Sequence, residues 1–253
     1  MTRSRGRIAL RVACGVLLLV LPGVALCAGP RLPLLQVAQG PHGGTAYSLD
    51  VQTLLIMTGL VFLPAVLLLM TSFLRFVVVL AILRQALGLS QTPPNMVLVG
   101  LALAMTVFVM RPVLTQVNNT ALQPYLSGQM AFKTAVSNAE TPLRTFMLKQ
   151  TRKKALHLFV DLDHGHYQST AQVPFTTLVP AFAVSELQTA FEIGFLIWLP
   201  FVLIDLAVSS ILMSLGMIML SPMLVSAPLK LLLFVMIDGW ALILGSLAQS
   251  VVH

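Results

Sequence analysis

Charge is what this chain has least of. Only 9% of its 253 residues are charged, 15 Lys and Arg against 8 Asp and Glu, while 57% are hydrophobic. A soluble domain carries about a quarter charged residues, so the composition excludes one and specifies an integral membrane protein. Apolar runs with so few charges belong to a chain solvated by lipid or by equally apolar neighbours. The formal charge of +7 is no nucleic-acid signature, because Arg3, Arg5, Arg7 and Arg11 crowd into the first dozen residues. Cysteine is nearly absent as well. Cys14 and Cys27 are the only two, so no disulfide or cysteine-metal framework is available beyond residue 27. There is no serine–lysine or aspartyl protease dyad, no P-loop and no nucleophile elbow. The sequence predicts neither an enzyme nor a bound cofactor. "DHGH", with Asp161, Asp163, His164 and His166, has ligand-type side chains but no helical spacing to orient them, and reads as a solvated loop rather than a metal site.

What is present begins with those early arginines. They precede "VACGVLLLVLPGVALCAGP", a short apolar core broken by Pro22 and Gly23 and followed by small residues. A basic start, a short core and small residues make the layout of a secretory signal peptide, placed at 1–28. A flexible Gly/Pro-rich lead follows at 29–50.

A first hydrophobic helical region is expected over 51–110. One crossing is expected from about Leu54 to Met70, and an amphipathic continuation carries Arg75 and Arg84. Nine positions apart, the two arginines lie on opposite sides of a helix. They serve either as interfacial anchors or as partners within an assembly. After the "TPPN" break, "MVLVGLALAMTVFVM" is short for a full crossing and closes at "RP". Residues 111–184 form a polar, mostly helical excursion. Its seven basic residues between Arg111 and Lys154 argue for a cytoplasmic side, but excursions longer than about 60 residues escape the charge rule. The exported N-terminus places it in the periplasm.

Two apolar arms over 185–253, joined at "MIMLSP", predict an antiparallel hairpin. Each arm is about 45 Å long if helical, against roughly 30 Å of hydrocarbon. Pro200 and Pro228 are expected to kink them, and part of their length to lie outside the bilayer or to tilt. Glu186 and Glu192 open the first arm, where negative charge suits the helix dipole.

Three charges in this hairpin need an explanation. An Asp or Lys at a helix centre in lipid costs on the order of 3 kcal/mol. Asp205 is twelve residues before Met217 and Lys230 eleven after Met219, so the two lie level and are predicted to form an intramembrane ion pair, within one chain or between copies. Such a pair stabilises the fold and fixes register, or serves as a relay or gating switch. Asp238, about 80° further round the helix from Lys230, is read as an additional buried charge that shares that lysine or caps the arm beside Trp240. At the bend, Met217 and Met219 bracket Ile218. Methionine is flexible and polarizable, and in a ring of identical chains such tips would converge into a compliant apolar collar. A rival reading is an ion- or proton-coupled transporter that titrates Asp205 and Asp238, although no internal repeat supports it.

"TSFLRFVVVLAILRQALGLSQTPPNMVLVGLAL", "FEIGFLIWLPFVLIDLAVSSILMSLGMIMLSP" and "PLKLLLFVMIDGWALILGSLAQS" resemble the flagellar export-gate family FliP, which is related to the R components of injectisome type III secretion. The resemblance runs from about 48 to 250. It implies an all-α protein of helical hairpins that assembles as a ring of five copies with FliQ and FliR and other export-apparatus membrane proteins. The implied location is the bacterial inner membrane at the flagellar basal body, with a periplasmic portion and with hairpins that do not simply cross the bilayer. The implied function is core subunit of the export gate, with Met217, Ile218 and Met219 as a gasket around the path of unfolded flagellar subunits. One departure stands out: a branched aliphatic, Ile218, takes a position where the family's turn has methionine.

Overall fold

The computed structural model of the chain describes residues 36–39, 45–48, 51–89, 91–165, 167, 169–217 and 220–252. The expected signal peptide at 1–28 lies outside the described residues. The chain divides into two compact units, Met1–Leu67 and Leu68–His253.

In the first unit, part of the lead is not coil but a small antiparallel pair, β1 (Gln36–Gln39) with β2 (Thr45–Ser48), in register from Gln36 opposite Ser48 to Gln39 opposite Thr45. Helix α1 (Val51–Leu69) then begins; Leu60, Val61 and Phe62 are each more than 60% exposed. Among the helix's described side chains none is buried, and an apolar helix without a buried stripe needs lipid or another protein around it.

The second unit is helical throughout. α2 (Phe73–Ala86) has a β-branched run, Val77–Val79, that lowers its intrinsic helix preference. Burial overrides this. Phe76, Val79, Leu80, Leu83, Ala86 and Leu87 recur at three- and four-residue spacing and are all at most 3% exposed. Gly88, at φ +76°, ends the helix: its own amide bonds to Gln85 and the Leu89 amide reaches back to Arg84.

α3 (Asn95–Val117) corrects one expectation. The segment does not close at "RP" but passes through Pro112, a π-helical turn (Asn118–Leu122) and the short α4 (Gln123–Leu126). The 32 residues Asn95–Leu126 are long and apolar enough to cross a membrane. One hydrogen bond lost at Pro112 is outweighed by continued packing against α2 and against α5 (Phe132–Gln150). α6 (Lys153–Leu162) completes the helical excursion.

α7 is a single 40-residue helix, Phe175–Ser214, starting ten residues before the expected arm. The reason is amphipathic: Leu178, Ala181, Phe182 and Ser185 are fully buried along one stripe. Leu178, Ala181 and Phe182 join Met70, Met147, Leu156 and Val173 in a core beneath the excursion. Pro200 lies inside this helix without ending it. The second arm does break, but at Asp238 rather than Pro228: α8 (Pro222–Met236) and α9 (Gly239–Val252) meet at 67°. Asp238 takes φ +49°, a left-handed conformation that Asp tolerates better than branched residues. A larger core gathers the α2 stripe with Leu98, Ala102, Phe201, Phe234 and Leu247. By length and composition, α7 also suffices to span a membrane, and α1 with α2, and α8 with α9, do so as broken pairs.

Candidate functional site

Asp205 on α7 and Lys230 on α8 meet within one chain. Lys230 Nζ donates to Asp205 Oδ2 at 2.6 Å and to the carbonyl of Ala86 at 3.1 Å. Ser226, one turn before Lys230 and so on the same face, donates from Oγ to Asp205 Oδ1 at 2.5 Å. Lys230 is 2% exposed and Ser226 fully buried, while the Asp205 side chain is one-third exposed. Ala86 closes α2, and the last carbonyls of a helix have no partner within it. An ammonium placed there satisfies one of them and suits the negative end of the helix dipole. One lysine thus joins α2, α7 and α8. Level counting along the hairpin found the Asp–Lys contact; the Ser226 spacing was a readable signal that the counting passed over.

A second ion pair was not anticipated as such. Arg75 on α2 and Glu186 on α7 are 2% and 0% exposed, and two guanidinium nitrogens donate to the two carboxylate oxygens, Nε to Oε2 at 2.9 Å and Nη2 to Oε1 in a second, shorter contact. Arg75 is therefore not an interfacial anchor: its partner lies in its own chain. Arg84 also stays within the chain, donating to Asn95 Oδ1 at 2.6 Å and to the Pro93 carbonyl at 3.3 Å. The helix-dipole role read for Glu186 and Glu192 is corrected too. α7 begins at Phe175, and the dipole effect fades beyond the first turn. Each carboxylate instead takes an arginine, Glu192 pairing with Arg152 at 2.5 Å on a more exposed surface. Pairing at a separation of 111 residues leaves no mark in local sequence.

Asp238 is not a buried charge. It is exposed at the α8–α9 junction, because the left-handed bend turns it out of the packed face. Trp240 beside it stacks edge-on against Phe234, with ring centroids 5.4 Å apart. Met217 follows Gly216, whose φ of +74° ends α7 while the Met217 amide bonds back to Leu212. The Met217 side chain is 42% exposed. Ile218 and Met219 lie outside the described residues. In the "DHGH" stretch, Asp163 accepts from the Tyr167 hydroxyl at 2.7 Å and from Thr177 Oγ1 at 3.1 Å, tying the loop to the start of α7. His166 lies outside the described residues.

The FliP family model matches residues 56–247. Among curated relatives, "Flagellar biosynthetic protein FliP" of Cereibacter sphaeroides is 52% identical, over 92% of this chain and 80% of the relative. The protein of the same name from Pectobacterium carotovorum subsp. carotovorum is 50% identical, over 87% and 86%. That from Bacillus subtilis (strain 168) is 47% identical, over 80% of this chain and 92% of the relative. All three alignments and the family match take in most of the chain, and the chain belongs to the FliP family.

Proposed function

We propose that this chain is a non-enzymatic core subunit of the flagellar type III protein-export gate. It works in the bacterial inner membrane at the basal body, with a periplasmic portion, as a ring of about five copies joined to FliQ and FliR. The assembly conducts unfolded flagellar subunits, driven by energy supplied elsewhere. The observation that carries this reading is the hairpin itself. Its level charges are consumed inside one chain by the Lys230–Asp205 contact, and its Met217-bearing bend is left exposed. An isolated subunit has no use for an exposed methionine at a helix tip, whereas a ring can turn several into a deformable seal. Thioether side chains repack around varied surfaces, as a conduit for chains of any sequence requires. Exposed Leu, Val and Phe along α1, α7 and α8 supply the apolar surface that sister copies, partner subunits and lipid would cover.

The transporter reading is weaker on the same geometry. Both Asp205 oxygens are engaged, by Lys230 and by Ser226, and Asp238 lies exposed at the bend. Two measurements test the proposal. Native mass spectrometry of the purified complex should give several copies of this chain with two further small membrane subunits; a monomer or simple dimer would end the ring. Met217→Ala and Met217→Trp should shift ion leakage through the reconstituted complex in opposite directions. Unchanged conductance in both would reduce the bend to scaffold.

A further inference from the structure

The C-terminal hairpin has two roots, one where α7 enters and one where α9 ends, and a single side chain holds both. Arg75 grips Glu186 on α7 through Nε and Nη2. Its Nη1 donates to the Ser250 carbonyl at 2.7 Å and to Ser250 Oγ at 3.1 Å, on the last turn of α9. Nη2 also reaches Gln150 Oε1 at 3.0 Å, and Gln150 Nε2 donates to the Val251 carbonyl at 2.8 Å. Two carbonyls in the last turn of α9, those of Ser250 and Val251, thus accept from side chains of α2 and of the end of α5. All of this is closed from solvent at Arg75.

We infer that Arg75 is a positioning residue that sets the spacing between the two roots of the hairpin. The inference rests on the export-gate reading only for its consequence, that root spacing governs where the Met217 bend is presented. The chemistry favours arginine specifically. A planar guanidinium presents five donors in a fixed fork and can serve a carboxylate on one edge and a helix end on another; an ammonium is a point donor on a flexible stem. Removing Arg75 altogether would leave Glu186 buried and unpaired, which is destabilising for reasons unrelated to positioning. The informative variant is therefore Arg75→Lys. It retains a charge for Glu186 but cannot hold Ser250 and Gln150 at the same time.

The test uses the full chain in its assembled complex, with Cys14 and Cys27 replaced by serine and labelled copies diluted among unlabelled ones. Spin labels at the exposed positions Gln188 and Gln249 report root spacing, and a pair at Gln85 and Gln188 reports the α2–α7 attachment. Arg75→Lys should broaden the 188–249 distance distribution about twofold while leaving 85–188 unchanged. Deleting residues 249–253, with the second label moved to Ser246, should broaden the root spacing in the same way, and Ser250→Ala, which keeps the carbonyl acceptor, should not. Unchanged 188–249 spacing in an assembled Arg75→Lys complex overturns the inference. So does equal broadening of both pairs, the mark of general loosening. Broadened root spacing with unaltered ion conductance supports the staple and refutes the gasket reading, so the two claims fail separately.

Discussion

Removing either member of the Asp205–Lys230 pair breaks the same 2.6 Å contact, yet the two losses are not equivalent. Asp205→Ala leaves an ammonium that is 2% exposed, with the Ala86 carbonyl as its remaining partner. Breaking a buried pair in this way costs about 3–5 kcal/mol, because the surviving charge has no solvent to return to. Lys230→Met replaces the stem with an apolar chain of similar length. It leaves a carboxylate that is one-third exposed and still holds the Ser226 hydroxyl. That loss is the charged hydrogen bond to Asp205, roughly 1.5–3 kcal/mol, and the Ala86 carbonyl also loses its ammonium donor. On the charges alone the difference is about 1.5–2 kcal/mol, a melting temperature roughly 3–8 °C lower for Asp205→Ala than for Lys230→Met, and the lost Ala86 contact narrows it. The assay is thermal unfolding of the detergent-solubilised complex, followed by the fluorescence of Trp198 and Trp240. The double variant Asp205→Asn, Lys230→Met removes both charges and keeps an acceptor for Ser226, so it should melt above Asp205→Ala despite carrying an extra substitution. Equal melting of the two single variants, or a double variant below both, would refute the claim that burial of the lysine governs the energetics here.

Gly194→Ala should destabilise by about 1–3 kcal/mol, since a Cβ there would lie 2.4 Å from Ile82 Cδ1 and 3.2–3.3 Å from its Cγ2 and Cβ, so that the branched side chain must shift where α2 meets α7; wild-type melting would contradict it. Phe182→Ala should cost about 3–5 kcal/mol by emptying the core beneath the excursion, where Phe182 is fully buried and stacks edge-on with Phe146. Limited proteolysis should then cut within α5 and α6 before the hairpin. The hydrogen bond to Asp163 raises the Tyr167 phenol above its ordinary 10.0. The folded state thus holds this proton more tightly than the unfolded chain does, and the contribution, present at neutral pH, is lost as pH rises through the raised value. A phenolate absorbance titration should place Tyr167 above 10.0 in the parent, and Asp163→Asn should lower it.

How much of this was legible in the sequence depended on how far a residue sits from its partner. The hairpin's charges could be paired by counting from the bend, because an antiparallel hairpin converts sequence distance into height, and Asp205 and Lys230 are only 25 positions apart. The same arithmetic had no purchase on Arg75, whose acceptors lie 111 and 175 residues away on helices it does not adjoin in the chain. Helix ends failed for a related reason. Pro112 looked like a helix end, yet it sits inside a helix, as do Pro200 and Pro228, where kinks were expected. Proline removes one hydrogen bond, whereas a buried apolar stripe sums many contacts. Where the chain does turn, it uses residues at positive φ: Gly88, Gly216 and Asp238. Asp238 was misread for that reason, since its charge drew notice as a candidate buried group while its backbone was the functional part.

The two ion pairs also divide the labour of the fold in a way that composition alone disguises. Nearly every intramembrane charge in a chain this apolar invites a reading as a relay or a substrate site. Here the lysine and the arginine each leave one helix to close the end of another, Lys230 at Ala86 and Arg75 at Ser250. Helix ends are the one place where an apolar protein cannot avoid unsatisfied backbone carbonyls. Long cationic side chains answer that need while a carboxylate from a third helix balances their charge. Both cations follow the same three-element plan, so their scarcity is a consequence of geometry: a chain folded from few long helices has few buried ends to cap. Substituting either cation with an uncharged donor, Lys230→Gln or Arg75→Gln, therefore keeps a cap but leaves the acid without its counter-ion, a larger loss for the buried Glu186 than for the one-third exposed Asp205. The penalty should accordingly be relieved by Asp205→Asn in the first case and Glu186→Gln in the second. Melting temperatures of the two double variants that fail to rise above their single cationic variants would show that the penalty does not come from the stranded carboxylates, and would refute this division of labour.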